Sequence, residues 1–298
     1  MTQTFDFQFP TSAMSDVGSF IQSNWYQASV TNYGKSDMSF VSDPFNSTGS
    51  SSQVLRVLYN QGSYAVTSGS GIMGGAEFYS QPGGGNYDSA LLRYDLAFDP
   101  TFQFVQGGKL PGLFGGDPTQ GCSGGHQATG SNCYSMRLMW RANGAGEAYG
   151  YLPNQGGLCQ EANVLCNDQY GTSFSRGMIQ FKTATWTTLE IYVKINDASS
   201  SNGLLQVWQD GNIVINRNDM RYRTTNAIAA TSLFFSTFYG GSDPSYAAAT
   251  NTYTYFKNIQ YSTGQPVTLS NSLASTLSPS LAFWWTALAS LFMAHLFL

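Results

Sequence analysis

The chain has 298 residues, of which 10% are charged, and its formal net charge at pH 7 is −4. This balance argues against a nucleic-acid partner, which needs a broad basic surface. It leaves room for a local cationic groove, because any cluster of the 13 lysines and arginines would stand out electrostatically. The abundance of glycine (32), tyrosine (18) and phenylalanine (20) favours strands joined by tight turns, so we predict an all-β fold.

Alternating apolar and polar segments recur between Gly, Asn, Ser and Pro clusters, which is typical of an antiparallel sandwich. The predicted strands are 54–59, 76–80, 89–98, 134–140, 177–182, 186–196, 204–215, 232–239 and 253–261. We expect one domain over residues 1–262. Several strands have one apolar and one polar, tyrosine-bearing face, and the polar face fits ligand contact and plain solvent exposure equally well.

The segment 133–153 predicts a β-hairpin with an unusual polar face. Alternation places these side chains on that face: Ser135, Arg137, Arg141, Glu147, Tyr149 and Tyr151. A five-residue loop at 142–146 would pair Arg137 with Tyr151, and Arg141 with Glu147. A two-residue turn would instead bury Glu147, so we favour the longer loop.

Four cysteines lie within 45 residues of a loop-rich region. An even count favours disulfides, and pairing neighbours along the chain closes two short loops. The expected disulfides are Cys122–Cys133 and Cys159–Cys166. A zinc site that includes His126 is the weaker alternative, because no CxxC motif occurs. Disulfides imply an oxidising compartment, and the glycosylation acceptor at Asn46 is compatible with secretion.

The C-terminal residues 280–298 are almost wholly apolar and follow a Ser/Thr-rich linker over 263–279. A membrane span is one interpretation of this tail. The order of small residues, polar spacer and hydrophobic tail favours a glycolipid (GPI) anchor signal, with attachment near Asn271 or Ser272. Residues 1–24 show no recognisable secretion signal. We nevertheless expect an extracellular, cell-surface protein that is a monomer.

The run GGKLPGLFGG, 107–116, places two glycines before Lys109, where they allow close backbone approach, and Pro111 with Gly112 predicts a turn directly afterwards. It is not a phosphate loop, because the Gly-Lys-Ser/Thr order is absent. Together with YSMRLMWR and EAYGYLP, the run resembles polysaccharide lyase family 14, the alginate and uronan lyases, and its fungal relatives. The likeness covers most of residues 54–262.

This resemblance implies a β-jelly roll whose concave sheet binds an acidic polysaccharide, and a β-elimination reaction that requires no metal or organic cofactor. The positions that match the functional residues of the family are Lys109, Ser135, Arg137, Tyr149 and Tyr151. The chain departs from the family at Asn60 and Gln61, where a basic residue is expected.

The residue types suit an elimination. We assign neutralisation of the uronate carboxylate to Arg137, with Lys109 close by. Nearby cations favour a phenolate, so Tyr151 is the first candidate for base and acid, and Tyr149 the second. Lys109 would serve as the base in alkaline conditions, and we expect Ser135 to bind substrate. The further candidates for substrate contacts are Arg93, His126, Tyr192 and Lys194.

Two other functions compete with this one. A glycoside hydrolase needs two carboxylates across its cleft. The chain has four glutamates, and no two of them are spaced i, i+2 or i, i+4 on one strand: Glu77, Glu147, Glu161 and Glu190. A lectin-like protein that binds uronans without cutting them is the alternative from another class.

Overall fold

A computed structural model describes residues 1–28, 33–46, 52–66, 71–153 and 156–270. The expected anchor-attachment residues and the hydrophobic tail fall in 271–298, outside the described residues. Within the described ranges, no helix combines the length and the apolar character that crossing a bilayer requires.

The described chain is built almost entirely from strands, with one helix, α1 (Val17–Asn24). The strands are β1 (Gln3–Asp6), β2 (Met38–Ser42), β3 (Gln53–Tyr59), β4 (Ala76–Ser80), β5 (Ser89–Phe98), β6 (Gly107–Gly116), β7 (Cys133–Arg141), β8 (Ala145–Tyr151), β9 (Val164–Leu165), β10 (Thr172–Gln180), β11 (Thr187–Lys194), β12 (Gly203–Gln209), β13 (Asn212–Met220), β14 (Ala230–Tyr239) and β15 (Thr252–Thr263). Short 3-10 turns occur at Lys35–Asp37, Pro118–Gln120, Ala142–Gly144, Leu158–Gln160 and Pro244–Tyr246.

The strands form two antiparallel sheets, which confirms the predicted all-β sandwich. Sheet I has the order β13-β12-β11-β5-β15-β3-β2, with β1 added to β15. Sheet II has the order β4-β14-β6-β7-β8-β10-β9. The strands β6, β7 and β8, which carry the motifs described above, are therefore neighbours at the centre of sheet II.

The core between the sheets is dominated by aromatic side chains. Trp140 of β7 is fully buried and lies against Tyr59 and Phe98 of sheet I, with ring centroids 5.9 Å away in both cases. Its indole N–H donates to the carbonyl oxygen of Phe104 at 3.1 Å, so burial leaves no polar group unpaired. Because side chains alternate along β7, a core-facing Trp140 sends its neighbours Met139 and Arg141 to the opposite face.

The β7–β8 hairpin differs from the favoured register by two residues. Its loop is the three-residue turn Ala142–Gly144, in which Asn143 adopts a φ of 59°. Arg137 therefore pairs with Tyr149, and Ser135 pairs with Tyr151. The expected pairing of Arg137 with Tyr151 is wrong, because Asn143 takes the left-handed conformation that a tighter turn needs. A shift of two residues keeps every side chain on its predicted face.

The predicted turn at Pro111 and Gly112 is also wrong. Strand β6 continues through both residues to Gly116, and the register with β7 shifts between Leu110 and Gly112. A bulge at this point accommodates a proline, which has no N–H for the ladder. A side chain at Gly112 would collide with the Met136 carbonyl, so the glycine is needed for the close packing of β6 on β7.

Both expected disulfides are confirmed. Cys122 is bonded to Cys133, and Cys159 to Cys166, with Cα–Cα distances of 6.0 and 5.5 Å. The first bridge ties the loop before β7 to the start of that strand. The second closes a short loop before β10.

We predict that Trp140→Ala lowers the free energy of unfolding by about 3–5 kcal/mol, because it opens a large cavity and removes the indole hydrogen bond. Urea denaturation followed by circular dichroism measures this loss. Ile213→Ala, at a side chain that is 48% exposed, is the control and should change stability by less than about 0.5 kcal/mol. Equal stability of the two variants would contradict this account of the core.

Candidate active site

The face of sheet II that points away from the core, here called the outer face, carries the predicted site. Besides the core cluster, a separate cluster of buried side chains lies on this face, and it includes Met139, Tyr149, Tyr151 and Phe234. Lys109 lies beside Met139 in the ladder, and Arg137 lies beside Tyr149. The structure therefore brings Lys109, Arg137 and both tyrosines together on one face.

Lys109 lies over an aromatic ring. Its Nζ is 3.3 Å from the centroid of the Tyr149 ring and 2.8 Å from Sδ of Met139. Burial holds the pKa of the Lys109 amine well below its ordinary value of 10.5, and the positive charges of Arg137 and Arg141 lower it further. The negative charge of Glu147 opposes this shift in part. The result is an amine that loses its proton unusually easily.

Arg137 forms the floor of the site. Only 1% of the Arg137 surface is exposed to solvent, and its guanidinium lies 4.7 Å from the centroid of the Phe234 ring. Its Nη1 donates to Oγ of Ser236 at 3.1 Å, while its Nε has no hydrogen-bond partner among the described residues. Buried donors without partners are uncommon, since each one costs the solvation it loses. Such a group is typical of a site where a ligand completes the hydrogen bonding.

Glu77 of β4 is connected to Arg137 by the hydroxyl of Ser236 of β14, which hydrogen-bonds to both side chains. Ser236 lies opposite Glu77 in the ladder, and its hydroxyl donates to Glu77 Oε2 at 2.7 Å. Burial raises the pKa of the Glu77 carboxyl, and the positive charge of Arg137 partly offsets that rise. Sequence reasoning missed this contact, because Glu77 and Ser236 are 159 residues apart and no local motif joins them.

A second buried carboxylate, Glu147, lies on the other side of Lys109. Arg141 donates to Glu147 Oε1 from Nε at 2.9 Å and from Nη2 at 2.5 Å. Arg176 Nε and the hydroxyl of Ser173 both reach Oε2 at 2.5 Å. Burial alone would raise the pKa of Glu147, but the hydrogen bonds and charges of Arg141 and its neighbours hold it below the ordinary value. The expectation that Glu147 avoids burial is therefore wrong, because two arginines compensate its charge.

The phenol oxygens of Tyr149 and Tyr151 each accept a backbone N–H. Gly171 donates to Tyr149 at 2.8 Å, and Gly125 donates to Tyr151 at 3.0 Å. Both residues are almost fully buried. Burial raises the pKa of Tyr149 above its ordinary value, despite the nearby positive charge of Arg137. For Tyr149 the predicted lowering of the phenol pKa is wrong, because loss of hydration outweighs the attraction of the cations.

Ser135 and His126 lie at the loop that covers one end of the site. The Ser135 hydroxyl donates to the carbonyl oxygen of Cys122 at 2.6 Å and is buried, so its single proton is committed to the loop. His126 is exposed, and its backbone carbonyl accepts from the N–H of Cys122 at 2.9 Å. These contacts hold the loop so that Gly125 reaches Tyr151.

Three candidate substrate contacts lie elsewhere. Arg93, Tyr192 and Lys194 belong to β5 and β11 of sheet I, and Arg93 Nε lies 3.9 Å from a carboxylate oxygen of Glu190. The structure does not bring them to the outer face of sheet II. Alternation gives both sheets a polar face that points away from the core, so the sequence pattern does not tell the two faces apart.

Among the described residues, no group of three or more His, Cys, Asp or Glu side chains is placed to hold a metal ion. The outer face offers the amine of Lys109, two phenols and the buried guanidinium of Arg137, together with two carboxylates that protein groups engage.

Comparisons with known proteins identify relatives of this arrangement. A family model described as Polysaccharide lyase 14 matches residues 47–259. The solved PL-14 alginate lyase from Aplysia kurodai is 35% identical, with a TM-score of 0.74 over 88% of this chain and 98% of its own. An alginate lyase from a Chlorella virus is 20% identical, with a TM-score of 0.67 over 83% of this chain and 97% of its own. The latter likeness supports the jelly-roll fold alone.

One curated relative is much longer than the region it shares with this chain. Exolysin of Paramecium bursaria Chlorella virus 1 is 26% identical over 202 residues, which are 60% of this chain and 30% of Exolysin. The chain therefore matches less than a third of that protein.

We predict that Lys109 reacts with an amine-specific reagent at unusually low pH, because its lowered pKa provides free amine there. Pulse labelling across a pH series, read by peptide mass spectrometry, should give a Lys109 midpoint well below 10.5. The same lysine in urea-unfolded chain is the control, since unfolding removes the burial and the neighbouring charges. Identical midpoints in the two states would contradict the environment described for Lys109.

Proposed function

Because this chain belongs to polysaccharide lyase family 14, we propose that it cleaves a 1,4-linked uronic acid polymer of the alginate or glucuronan type by β-elimination. One observation carries the proposal: the Lys109 amine lies 3.3 Å from the centroid of the Tyr149 ring, on the same face as the buried Arg137. The 35% identity to an alginate lyase supports the choice of an acidic polysaccharide.

The reaction needs three groups. A base takes the proton on C5 of a uronate, the C5–H electrons form the C4=C5 double bond, and the C4–O bond breaks. An acid gives a proton to the departing glycosidic oxygen. The carboxylate at C6 shares the negative charge that develops at C5, so a fixed positive charge beside it lowers the barrier.

We assign the base to Lys109. A general base works best when its pKa is near the working pH, and burial and the neighbouring arginines shift Lys109 in that direction. This differs from the sequence-based preference for Tyr151, in which Lys109 acts only in alkaline conditions. The lowered pKa of the amine supports this assignment, and the raised pKa of the Tyr149 phenol argues against the second candidate for the base.

Tyr149 is our candidate for the acid, with Tyr151 beside it. The raised pKa keeps the Tyr149 phenol protonated, and its oxygen already accepts the Gly171 N–H, so the phenolic hydrogen is free to face the leaving oxygen. The ring centroids of the two tyrosines are 6.0 Å apart. Because they lie so close together, their roles are to be distinguished by substituting one tyrosine at a time.

Arg137 is our candidate for carboxylate neutralisation. A buried cation acts through surroundings of low polarity, where a charge interaction is stronger than in water. Its Nε, which no residue of the described ranges pairs with, is a donor that a carboxylate oxygen would satisfy.

Two buried glutamates on the outer face raise the glycoside hydrolase alternative again. Glu147 is held by Arg141 and Arg176, and Glu77 accepts the hydroxyl proton of Ser236. A hydrolase needs one protonated acid and one free carboxylate next to the sugar. Since both carboxylates are engaged by protein groups, this geometry favours the lyase. A lectin-like protein would have the same contacts, so only a measurement of turnover distinguishes it from a lyase.

We also propose that the protein is extracellular and monomeric, is attached to the cell surface by its C-terminal anchor, and is related to the fungal members of the family. Two disulfides support an oxidising compartment.

We predict that alginate or glucuronan incubated with the protein gains ultraviolet absorbance, because elimination leaves an unsaturated uronide at the new non-reducing end. The matched control is the same polymer after chemical reduction of its carboxyl groups, which should give no absorbance. New reducing ends without absorbance would identify a hydrolase, and binding without either signal would identify a lectin.

We predict that Lys109→Ala and Arg137→Ala each lower kcat/KM by about 100-fold or more, because they remove the base and the fixed charge. Tyr149→Phe should lower kcat by about 100-fold, with Tyr151→Phe losing less, if Tyr149 is the acid. The controls are Tyr192→Phe and Lys194→Ala on sheet I, which should retain wild-type activity. Losses in these controls would place substrate on the other sheet, and a silent Lys109→Ala would reject the base assignment.

A further inference from the structure

Among the residues that the structure describes, no carboxylate is in direct contact with Arg137, although a buried cation ordinarily requires a compensating charge. Its Nη1 donates to the Ser236 hydroxyl, and Ser236 donates to Glu77. The order of donors is fixed by chemistry. Arginine has no acceptor and serine has one hydroxyl hydrogen, so Ser236 accepts a hydrogen bond from Arg137 and donates one to Glu77.

The hydrogen bonds from Arg137 through Ser236 to Glu77 are here called the relay. The Glu77 end of this relay is firmly held. Glu77 and Tyr33 exchange backbone hydrogen bonds of 3.1 and 3.2 Å on one side, and Glu77 pairs with Ser236 on the other. The backbone of Glu77 is therefore held by two neighbouring segments, and its carboxylate is held by the Ser236 hydroxyl. Ser236 is fully buried, so water does not replace its hydroxyl.

The relay has a consequence for the guanidinium. A direct carboxylate contact would bind two of its N–H groups, as Glu147 does with Nε and Nη2 of Arg141. By contrast, the Ser236 hydroxyl accepts from Nη1 of Arg137, and no described residue pairs with Nε. Glu77 supplies compensating charge from a distance, while Arg137 keeps a donor for a ligand.

We propose that Glu77 and Ser236 are positioning residues that orient Arg137 toward a substrate carboxylate without neutralising it. This inference rests on the proposed function. It adds two residues, from β4 and β14, to a site whose other members come from β6, β7 and β8.

Substitutions at Ser236 and Glu77 test the relay. Ser236→Ala removes the acceptor for Nη1 of Arg137 and should lower kcat by about 10-fold to 100-fold, with a smaller change in KM. The effect falls on kcat because a misoriented guanidinium stabilises the negative charge that develops on the substrate less well. Ser236→Thr keeps the hydroxyl and should restore most of the activity. Glu77→Gln keeps an acceptor for Ser236 and should lose less than Glu77→Ala.

The matched control is Ser232→Ala. Ser232 is a fully buried serine on the same strand, and its hydroxyl contacts Thr231 instead of Arg137. Its variant should retain the wild-type kcat. Equal losses in Ser232→Ala and Ser236→Ala, or a kcat for Ser236→Ala within twofold of the wild type, would overturn the proposal.

A measurement without turnover separates this inference from the proposed function. In protein labelled with ¹⁵N-arginine, the guanidinium signal that disappears in Arg137→Lys should be protected from hydrogen exchange. Protection should persist in Ser232→Ala and be lost in Ser236→Ala. An inactive wild type that shows this pattern would reject the lyase function alone, whereas protection that survives in Ser236→Ala would reject the relay.

Discussion

The site depends on keeping positive charge buried on the outer face of a β-sheet. A cation that loses water is costly unless carboxylates or hydrogen-bond acceptors replace it. Here Glu147 compensates Arg141 and Arg176 directly, while Glu77 compensates Arg137 through Ser236. Lys109 lies between these two arrangements, and burial together with the charges of Arg137 and Arg141 holds the pKa of its amine below the ordinary value.

The placement of these groups follows from sheet geometry. The glycine at position 112 lets β6 pack closely on β7, and the bulge beside it keeps Lys109 next to Met139. The tight turn at Asn143 then sets Tyr149 beside Arg137. Lys109, Arg137 and the two tyrosines therefore belong to the centre of the sheet, where strands on both sides fix their spacing.

The side chains that share a face of the hairpin were predictable from the sequence, because side chains alternate along a strand with a period of two residues. Arg137, Tyr149 and Tyr151 share a face in any hairpin register that differs by an even number, so the wrong loop length still placed them together. Lys109 was grouped with them by the family resemblance, because β6 was not among the predicted strands. The pairings themselves depended on the conformation of Asn143, which alternation does not encode.

Contacts between distant segments were not predictable in the same way. Glu77 and Ser236 meet only because β4 and β14 are neighbours, and sheet order is not a local property. Arg176 reaches Glu147 because β10 departs from its regular register between Phe174 and Ile179. Arg93 and Lys194 stay predictions that the structure separates from the Lys109 cluster, since a polar strand face does not reveal to which sheet a strand belongs.

The disulfide between Cys122 and Cys133 makes part of the site depend on the oxidation state of the chain. The loop that it closes supplies the Gly125 amide to Tyr151 and the Cys122 carbonyl to Ser135. A newly synthesised chain whose thiols are still reduced lacks the covalent tether that holds both contacts in place. Oxidation of Cys122 and Cys133 therefore completes the covalent support of the loop that contacts Tyr151 and Ser135.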